Sequence, residues 1–133
     1  MKISAKSRYA LHLMLELAMQ DEGVNLSVKS VAESRGISEK YLEQIIPVLV
    51  RSGLVRSVRG AKGGYRLVKK PEDCTVGLIL RTVEGSLSPV SCMDDEVNQC
   101  ARCKACVTLD LWEQIDTAIS NIVDHVTLAD LVD

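Results

Sequence analysis

Four cysteines, Cys92, Cys100, Cys103 and Cys106, fall within fifteen residues in the pattern C-x7-C-x2-C-x2-C, and the fifth, Cys74, stands apart before them. Thiolates are soft ligands, suited to iron–sulfur clusters or zinc. In a reducing cytosol a permanent disulfide framework is disfavoured, so metal binding or redox chemistry is the default reading of such a cluster. The x2 spacings let consecutive sulfurs point at one centre, and Cys103 and Cys106 would share a face if a helix already begins there. The second, distant CxxC pair of a zinc knuckle is absent, which places an iron–sulfur cluster ahead of structural zinc, with thiol sensing as a third alternative. Cys74 reads as a small apolar residue rather than a ligand.

The second chemistry is electrostatic. Residues 1–70 carry 13 Lys and Arg against 6 Asp and Glu, a net +7, whereas residues 71–133 carry 3 against 12, a net −9. No acidic residue lies between Glu43 and Glu72, while Arg51, Arg56, Arg59, Lys62, Arg66, Lys69 and Lys70 all fall in that interval. Such a block is the footprint of a polyanion site. The glycine-rich stretch Gly60–Gly64 around Lys62 lacks the GxxxxGK(S/T) pattern and leads into a strand, which excludes a phosphate-binding nucleotide loop. His125 lies alone near the chain end and no histidine-based acid–base set is present, so the chain reads as a binding protein and not an enzyme.

The elements that must position these groups follow from periodicity and caps. Residues 5–20 form a helix whose polar positions His12, Glu16 and Gln20 recur every four residues, with His12 expected to pair with Glu16. Ser27 caps a short helix through Val28, Val31 and Ala32 that closes at Gly36. After the turn Gly36-Ile37-Ser38, Ser38 caps a second helix carrying Tyr41, Leu42, Ile45, Ile46, Leu49 and Val50, in which Pro47 predicts a bend or an early end. Two short helices around a glycine turn make a helix-turn-helix. Leu54–Val58 and Tyr65–Val68 alternate as strands around the glycine tip, so the hairpin is a wing.

Residues 76–84 form a further helix ending at Gly85. An irregular segment, 86–99, holds Pro89 and the acidic run Asp94-Asp95-Glu96. A long helix is expected from about Lys104 to Asp124, with Leu111, Ile115, Ala118 and Ile122 on one apolar stripe and Trp112, Ile119 and Val126 on its neighbour. A helix this apolar calls for a partner, and pairing with a second copy covers both stripes. The expected fold is thus mainly α with a small β-hairpin: a winged helix-turn-helix domain, 1–70, followed by a cysteine loop and dimerisation helix, 71–133. The longest apolar run, Tyr9–Met19, is broken by His12 and Glu16 and is too short to cross a membrane. The N-terminal segment is helical without a cleavage site, so a cytoplasmic location is expected.

The stretches ISAKSRYALHLMLELA, GISEKYLEQIIPVLVRSGLVRSVRGAKGGYRLV and CVTLDLWEQI together resemble the Rrf-two type transcriptional regulators, with their IscR-, NsrR- and CymR-like branches, over essentially the whole chain. The resemblance implies a homodimer on a double-stranded DNA operator, with recognition helices in successive major grooves and wings reaching the minor groove. It carries DNA contact onto Ser38, Lys40, Tyr41, Glu43 and Gln44 of the recognition helix and Arg59, Gly60, Lys62, Gly63 and Gly64 of the wing. The chemistry agrees: Gln44 can pair with a base edge, Glu43 can accept from cytosine, and arginine suits a narrow minor groove. Cluster-binding members use three cysteines, matched by Cys92, Cys100 and Cys106. The histidine that IscR-like members supply three residues later is Leu109 here, and the acidic N-terminal ligand of NsrR-like members is Arg8. The fourth ligand is therefore unassigned, and Cys103 is the candidate to complete an all-cysteine site holding a 2Fe–2S or 4Fe–4S cluster. The expected function is a regulator whose operator affinity follows cluster state through redox, iron–sulfur supply or nitric oxide. The alternative is a cluster-free, CymR-like repressor controlled by a partner protein or thiol oxidation, and behind it stands an iron–sulfur redox protein.

Overall fold

A computed structural model describes residues 2–94 and 106–132. Helix α1 (Ala5–Ala18) starts where the Ser4 hydroxyl accepts the Ser7 N–H, and it buries Ser7, Ala10, Leu13, Met14 and Leu17. Helix α2 (Val28–Arg35) is capped by Ser27 and closed by Gly36. Helix α3 (Glu39–Arg51) is capped by Ser38 and buries Leu42, Ile45, Ile46 and Leu49. Strands β1 (Val55–Val58) and β2 (Gly64–Leu67) pair antiparallel, from Val55 opposite Leu67 to Val58 opposite Gly64. After a 3-10 turn at Pro71–Asp73, Thr75 caps helix α4 (Val76–Glu84). Helices α5 (Leu109–Val123) and α6 (Leu128–Val132) complete the described chain. The molecule is mainly helical with a two-stranded hairpin, as its periodicity implies.

Helix α1 lies at the centre, packed against α2, α3, α4, α6 and β2. One hydrophobic core therefore takes residues from both sides of Lys70: Leu13, Met14, Leu42, Ile45 and Leu49 are joined by Cys74, Ile79 and Leu128. Full burial of each such Leu or Ile stabilises by about 1.5–3 kcal/mol relative to exposure. The Ser4 N–H donates to Glu84 Oε1 at 2.8 Å, tying the end of α4 to the start of α1. The hydroxyl of Ser4, then that of Ser7, then the Ser4 N–H hold the Glu84 carboxyl below its ordinary range.

Four expectations change. Glu16 pairs with Arg35 at 2.6 Å and accepts from the Ser34 hydroxyl, rather than pairing with His12, so α1 is fastened to α2. Helix α3 does not end early at Pro47 but continues to Arg51. Pro47 sits on the exposed face, and the buried Ile45, Ile46 and Leu49 hold the helix in place against the core. Their burial outweighs the roughly 3 kcal/mol that an interior proline costs. The last long helix begins at Leu109, not near Lys104, and α6 is an element that periodicity did not foretell.

Candidate nucleic-acid interface and cysteine segment

Helix α3 is divided lengthwise. Leu42, Ile45, Ile46 and Leu49 face the core, while Glu39, Lys40, Glu43, Gln44, Pro47, Val50 and Arg51 are exposed. Lys40, Glu43 and Gln44 thus share a single outward polar surface, and Pro47 and Arg51 extend it by further turns. Sequence reasoning placed Arg51 in the basic block but not on the reading face of this helix, and it passed over Pro47, although the 3–4 spacing that marks the core face also marks its complement. Ser38 accepts the Tyr41 N–H at 3.1 Å, so its oxygen is engaged as the helix cap. Tyr41 is half-buried, its ring edge-on to Tyr9 at 5.2 Å between centroids, which fixes the first turn of α3 to α1.

The wing presents Arg56, Arg59 and Lys62 to solvent. Its glycines have a structural reason besides any contact with DNA. A Cβ at Gly63 would lie 2.2 Å from the Val58 oxygen. At Gly64, with φ +144°, a Cβ would lie 2.5 Å from the Leu26 oxygen and 2.7 Å from its carbonyl carbon. The second collision arises because the segment before α2 runs against β2: the Leu26 N–H donates to the Tyr65 oxygen at 2.9 Å, and the Tyr65 N–H returns to the Leu26 oxygen at 2.8 Å.

The cysteines divide into distinct environments. Cys74 is 1% exposed within the core, and burial pushes its thiol up, with Lys69 opposing the shift. Cys92 lies half-buried in a 3-10 turn, Ser91–Met93. Cys106 lies just before α5 and not on it, so the shared helical face expected for Cys103 and Cys106 does not form at Cys106. Cys100 and Cys103, together with Asp95 and Glu96 of the acidic run, lie outside the described residues. Cys106 Sγ is 3.3 Å from Thr108 Oγ1, and the Trp112 indole N–H donates to that same oxygen at 3.0 Å. With its lone pairs facing the indole, the Thr108 hydroxyl has its proton available for the sulfur. The hydroxyl first, then the Thr108 backbone, hold the Cys106 thiol below its ordinary value. A thiolate is the form that both metals and oxidants require, so Cys106 suits a soft-ligand role.

Among the described residues, neither histidine joins Cys92 or Cys106 in a metal-holding group. His12 is exposed on α1, and the His125 ring Nδ1 is 2.8 Å from the Asn121 carbonyl at the end of α5. Arg8, also exposed on α1, lies 6.0 Å from the Tyr9 ring, and Leu109 is the first residue of α5. Among the described residues no three His, Cys, Asp or Glu side chains form a metal-holding group.

Helix α5 buries none of its residues, and Leu111 and Ile122 are 50% and 64% exposed. It is fastened to α4 near its C-terminal end, where Arg81 pairs with Asp124 and donates to Ser120 Oγ at 3.2 Å. Gly77 makes room for this approach, since a Cβ there would lie 2.1 Å from Asp124 Oδ1. Toward its middle, a cleft of about 430 Å³ lined by Ser86, Ser88, Met93, Glu113 and Asp116 separates α5 from the segment carrying Cys92.

A capped helix-turn-helix with a polar outer face, backed by an antiparallel wing, is the architecture of a winged-helix transcriptional regulator. The chain belongs to the Rrf2 family, described as iron-dependent transcriptional regulators, whose model matches residues 3–133. It is 42% identical over 131 residues to the HTH-type transcriptional regulator CymR of Bacillus subtilis (strain 168), covering 98% of this chain and 89% of that protein. The solved structure of CymR (YrzC), the global cysteine regulator of B. subtilis, superposes with a TM-score of 0.81 at 40% identity, covering 98% of this chain and 95% of that one. That of T. potens IscR gives a TM-score of 0.79 at 41% identity, covering 99% and 86%. No described helix is long and apolar enough to cross a membrane.

Proposed function

We propose that this chain is a homodimeric, cytoplasmic regulator whose grip on operator DNA is set at its cysteine segment. Lys40, Glu43 and Gln44 read base edges in the major groove, Ser38 and Tyr41 set the entry of α3, and Arg59 and Lys62 reach the minor groove from a wing shaped by Gly60, Gly63 and Gly64. The exposed apolar residues of α5 are covered by a second copy, which places two recognition helices on a two-fold operator. Residues 1–70 act as the DNA-binding unit and residues 71–133 as the sensing and pairing unit.

The observation that carries the sensing role is Cys106: a thiol polarised by Thr108 just before α5, a helix with no fully buried residue. Cys92, Cys100 and Cys106, with Cys103 as the fourth thiolate, would hold an iron–sulfur cluster. When bound, that cluster supplies a centre sensitive to oxidation, iron supply and nitric oxide. Cys92 then ties the segment after α4, and Cys106 ties the root of α5, so that ligation restrains the angle of α5. A coupling of about 1–3 kcal/mol between the cysteine segment and the operator is enough for regulation. Anaerobic purification with a visible spectrum and matched iron and sulfide analysis tests this, together with operator binding of the loaded and stripped protein. Brown protein whose operator affinity changes on stripping is the expected result. Colourless protein after reconstitution, or Cys92, Cys100 and Cys106 to Ala variants that bind DNA like wild type in every redox state, would refute it.

The second reading keeps the DNA interface and makes the signal thiol oxidation or a partner protein. It draws on the same lowered Cys106 thiol and on the likeness to CymR. Reversible change of operator affinity by peroxide in iron-free protein would favour it.

A further inference from the structure

The segment joining α1 to α2 is built into the wing. Besides the paired hydrogen bonds between Leu26 and Tyr65, the Asn25 side chain reaches across 37 positions of chain to donate from Nδ2 to the Lys62 carbonyl at 3.0 Å. Beyond the β1–β2 ladder, which reaches Val58 and Gly64, the tip is closed by the Gly63 N–H donating to the Gly60 oxygen at 2.9 Å. Arg59 and Lys62 project from this tip and are exposed, with glycine on either side of the turn to leave the backbone soft. Asn25 itself is half-buried, and its Oδ1 is enclosed without a hydrogen-bond partner among the described residues. The amide therefore works through its donor edge alone, which is turned to the tip.

We infer that Asn25 is a positioning residue for DNA recognition: by holding the Lys62 carbonyl, it fixes the wing tip from which Arg59 and Lys62 extend. Asn25 lies outside both the recognition helix and the wing, and it acts through the tip rather than by touching DNA. Binding a mobile tip requires ordering it at the moment of contact, a cost that the tether removes in advance. Aspartate is the informative replacement, because it keeps the shape while turning an oxygen toward the Lys62 carbonyl. The inference rests on the wing-to-DNA reading above.

The test uses the full chain and a duplex selected by wild-type protein from a random-sequence library. Affinity is measured by fluorescence anisotropy over a range of salt for wild type, Asn25→Asp, Arg59→Ala/Lys62→Ala, and the three changes combined, with hydroxyl-radical footprints of each complex and urea unfolding as a fold control. Asn25→Asp is expected to weaken binding about two- to tenfold, the scale of ordering one or two side chains. It should remove the minor-groove protections while leaving those of the major groove. In the Arg59→Ala/Lys62→Ala background it should weaken binding no further. Loss on Arg59→Ala/Lys62→Ala with none on Asn25→Asp would overturn the role of Asn25 and leave the wing reading standing. No loss on Arg59→Ala/Lys62→Ala would overturn both. An equal loss from Asn25→Asp in both backgrounds would show that Asn25 acts elsewhere than through the tip. Asn25→Ala, which removes the donor without adding charge, is expected to follow Asn25→Asp in footprint, while only Asn25→Asp should also alter the salt dependence.

Discussion

Replacing Gly64 by alanine tests whether the wing is truly locked to the segment before α2. The added Cβ would stand 2.5 Å from the Leu26 oxygen, 2.7 Å from its carbonyl carbon and 3.2 Å from its nitrogen. All three are backbone atoms, so no side chain can swing aside. Relief requires β2 and Leu26 to separate, which forfeits two hydrogen bonds of 2.8 and 2.9 Å. At about 0.5–1.5 kcal/mol net each, that loss is about 1–3 kcal/mol. Holding a non-glycine residue at φ +144° adds about 1–3 kcal/mol, and the stiffer unfolded chain returns about 0.4–1 kcal/mol. The net is destabilisation of about 1–5.6 kcal/mol, centred on about 3 kcal/mol, a substantial part of a typical domain stability of about 5–15 kcal/mol. Gly60→Ala is the control: its φ is +110°, yet nothing lies within 4 Å of the added atom, so it carries dihedral strain alone. Urea unfolding of both variants, read at constant m-value, separates the terms. If Gly64→Ala proved no more destabilising than Gly60→Ala, the contact with Leu26 would be irrelevant to stability and the account of the wing would be wrong.

Three further outcomes follow from the packing. Leu128→Ala should cost about 2–5 kcal/mol in urea unfolding, because Leu128 is fully buried although it lies in the last short helix; a surface-like loss below about 0.5 kcal/mol would detach α6 from the core. Glu84→Gln should destabilise at neutral pH. Since the folded carboxyl sits below its unfolded value of about 4.3, its contribution is present above that pH and is lost as pH falls through the lowered folded value. The gap between Glu84→Gln and wild type should therefore close in acid, and a gap independent of pH would assign the effect to shape instead of charge. In a Cys92→Ser/Cys100→Ser/Cys103→Ser background, iodoacetamide should modify Cys106 readily near neutral pH and Cys74 only as fast as the molecule unfolds. Equal native-state rates would contradict the burial of Cys74.

The helix-turn-helix was legible because its signals are local. Ser27 and Ser38 cap, Gly36 closes, and Leu42, Ile45, Ile46 and Leu49 mark a face within a single helix. The wing was legible in its strands but not in its anchorage, since Asn25 and Leu26 meet residues nearly forty positions away and carry no periodic mark. Pro47 misled because helix-breaking is a local rule, whereas the buried residues around it act through tertiary contact. Glu16 misled in a similar way: an i, i+4 partner was visible in His12, yet Arg35 from the next helix supplies the charge. Helix α6, only five residues long, shows too little pattern to read; it forms because the Leu128 N–H reaches the Cys74 carbonyl at 3.0 Å and Thr127 pairs with Thr75.

These long-range contacts give the two ends of the molecule a mechanical relation. Helix α5 is attached to the described chain chiefly by Arg81, Asp124 and Ser120, beside a glycine that lets it approach α4. Helix α4 in turn packs against α1 and α3, and Ile79, Leu13 and Leu42 belong to one core. Close-packed interiors transmit displacement better than they absorb it. Helix α4 is thus the described element that links α5, through the Arg81–Asp124 pair, to the core that also holds α3. The cleft beside Met93 and Glu113 separates the middle of α5 from the segment after α4, while the Ser4–Glu84 link fixes the end of α4 to α1. Under the function proposed above, a restraint at Cys106, just before α5, would be felt first at the Arg81–Asp124 contact with α4.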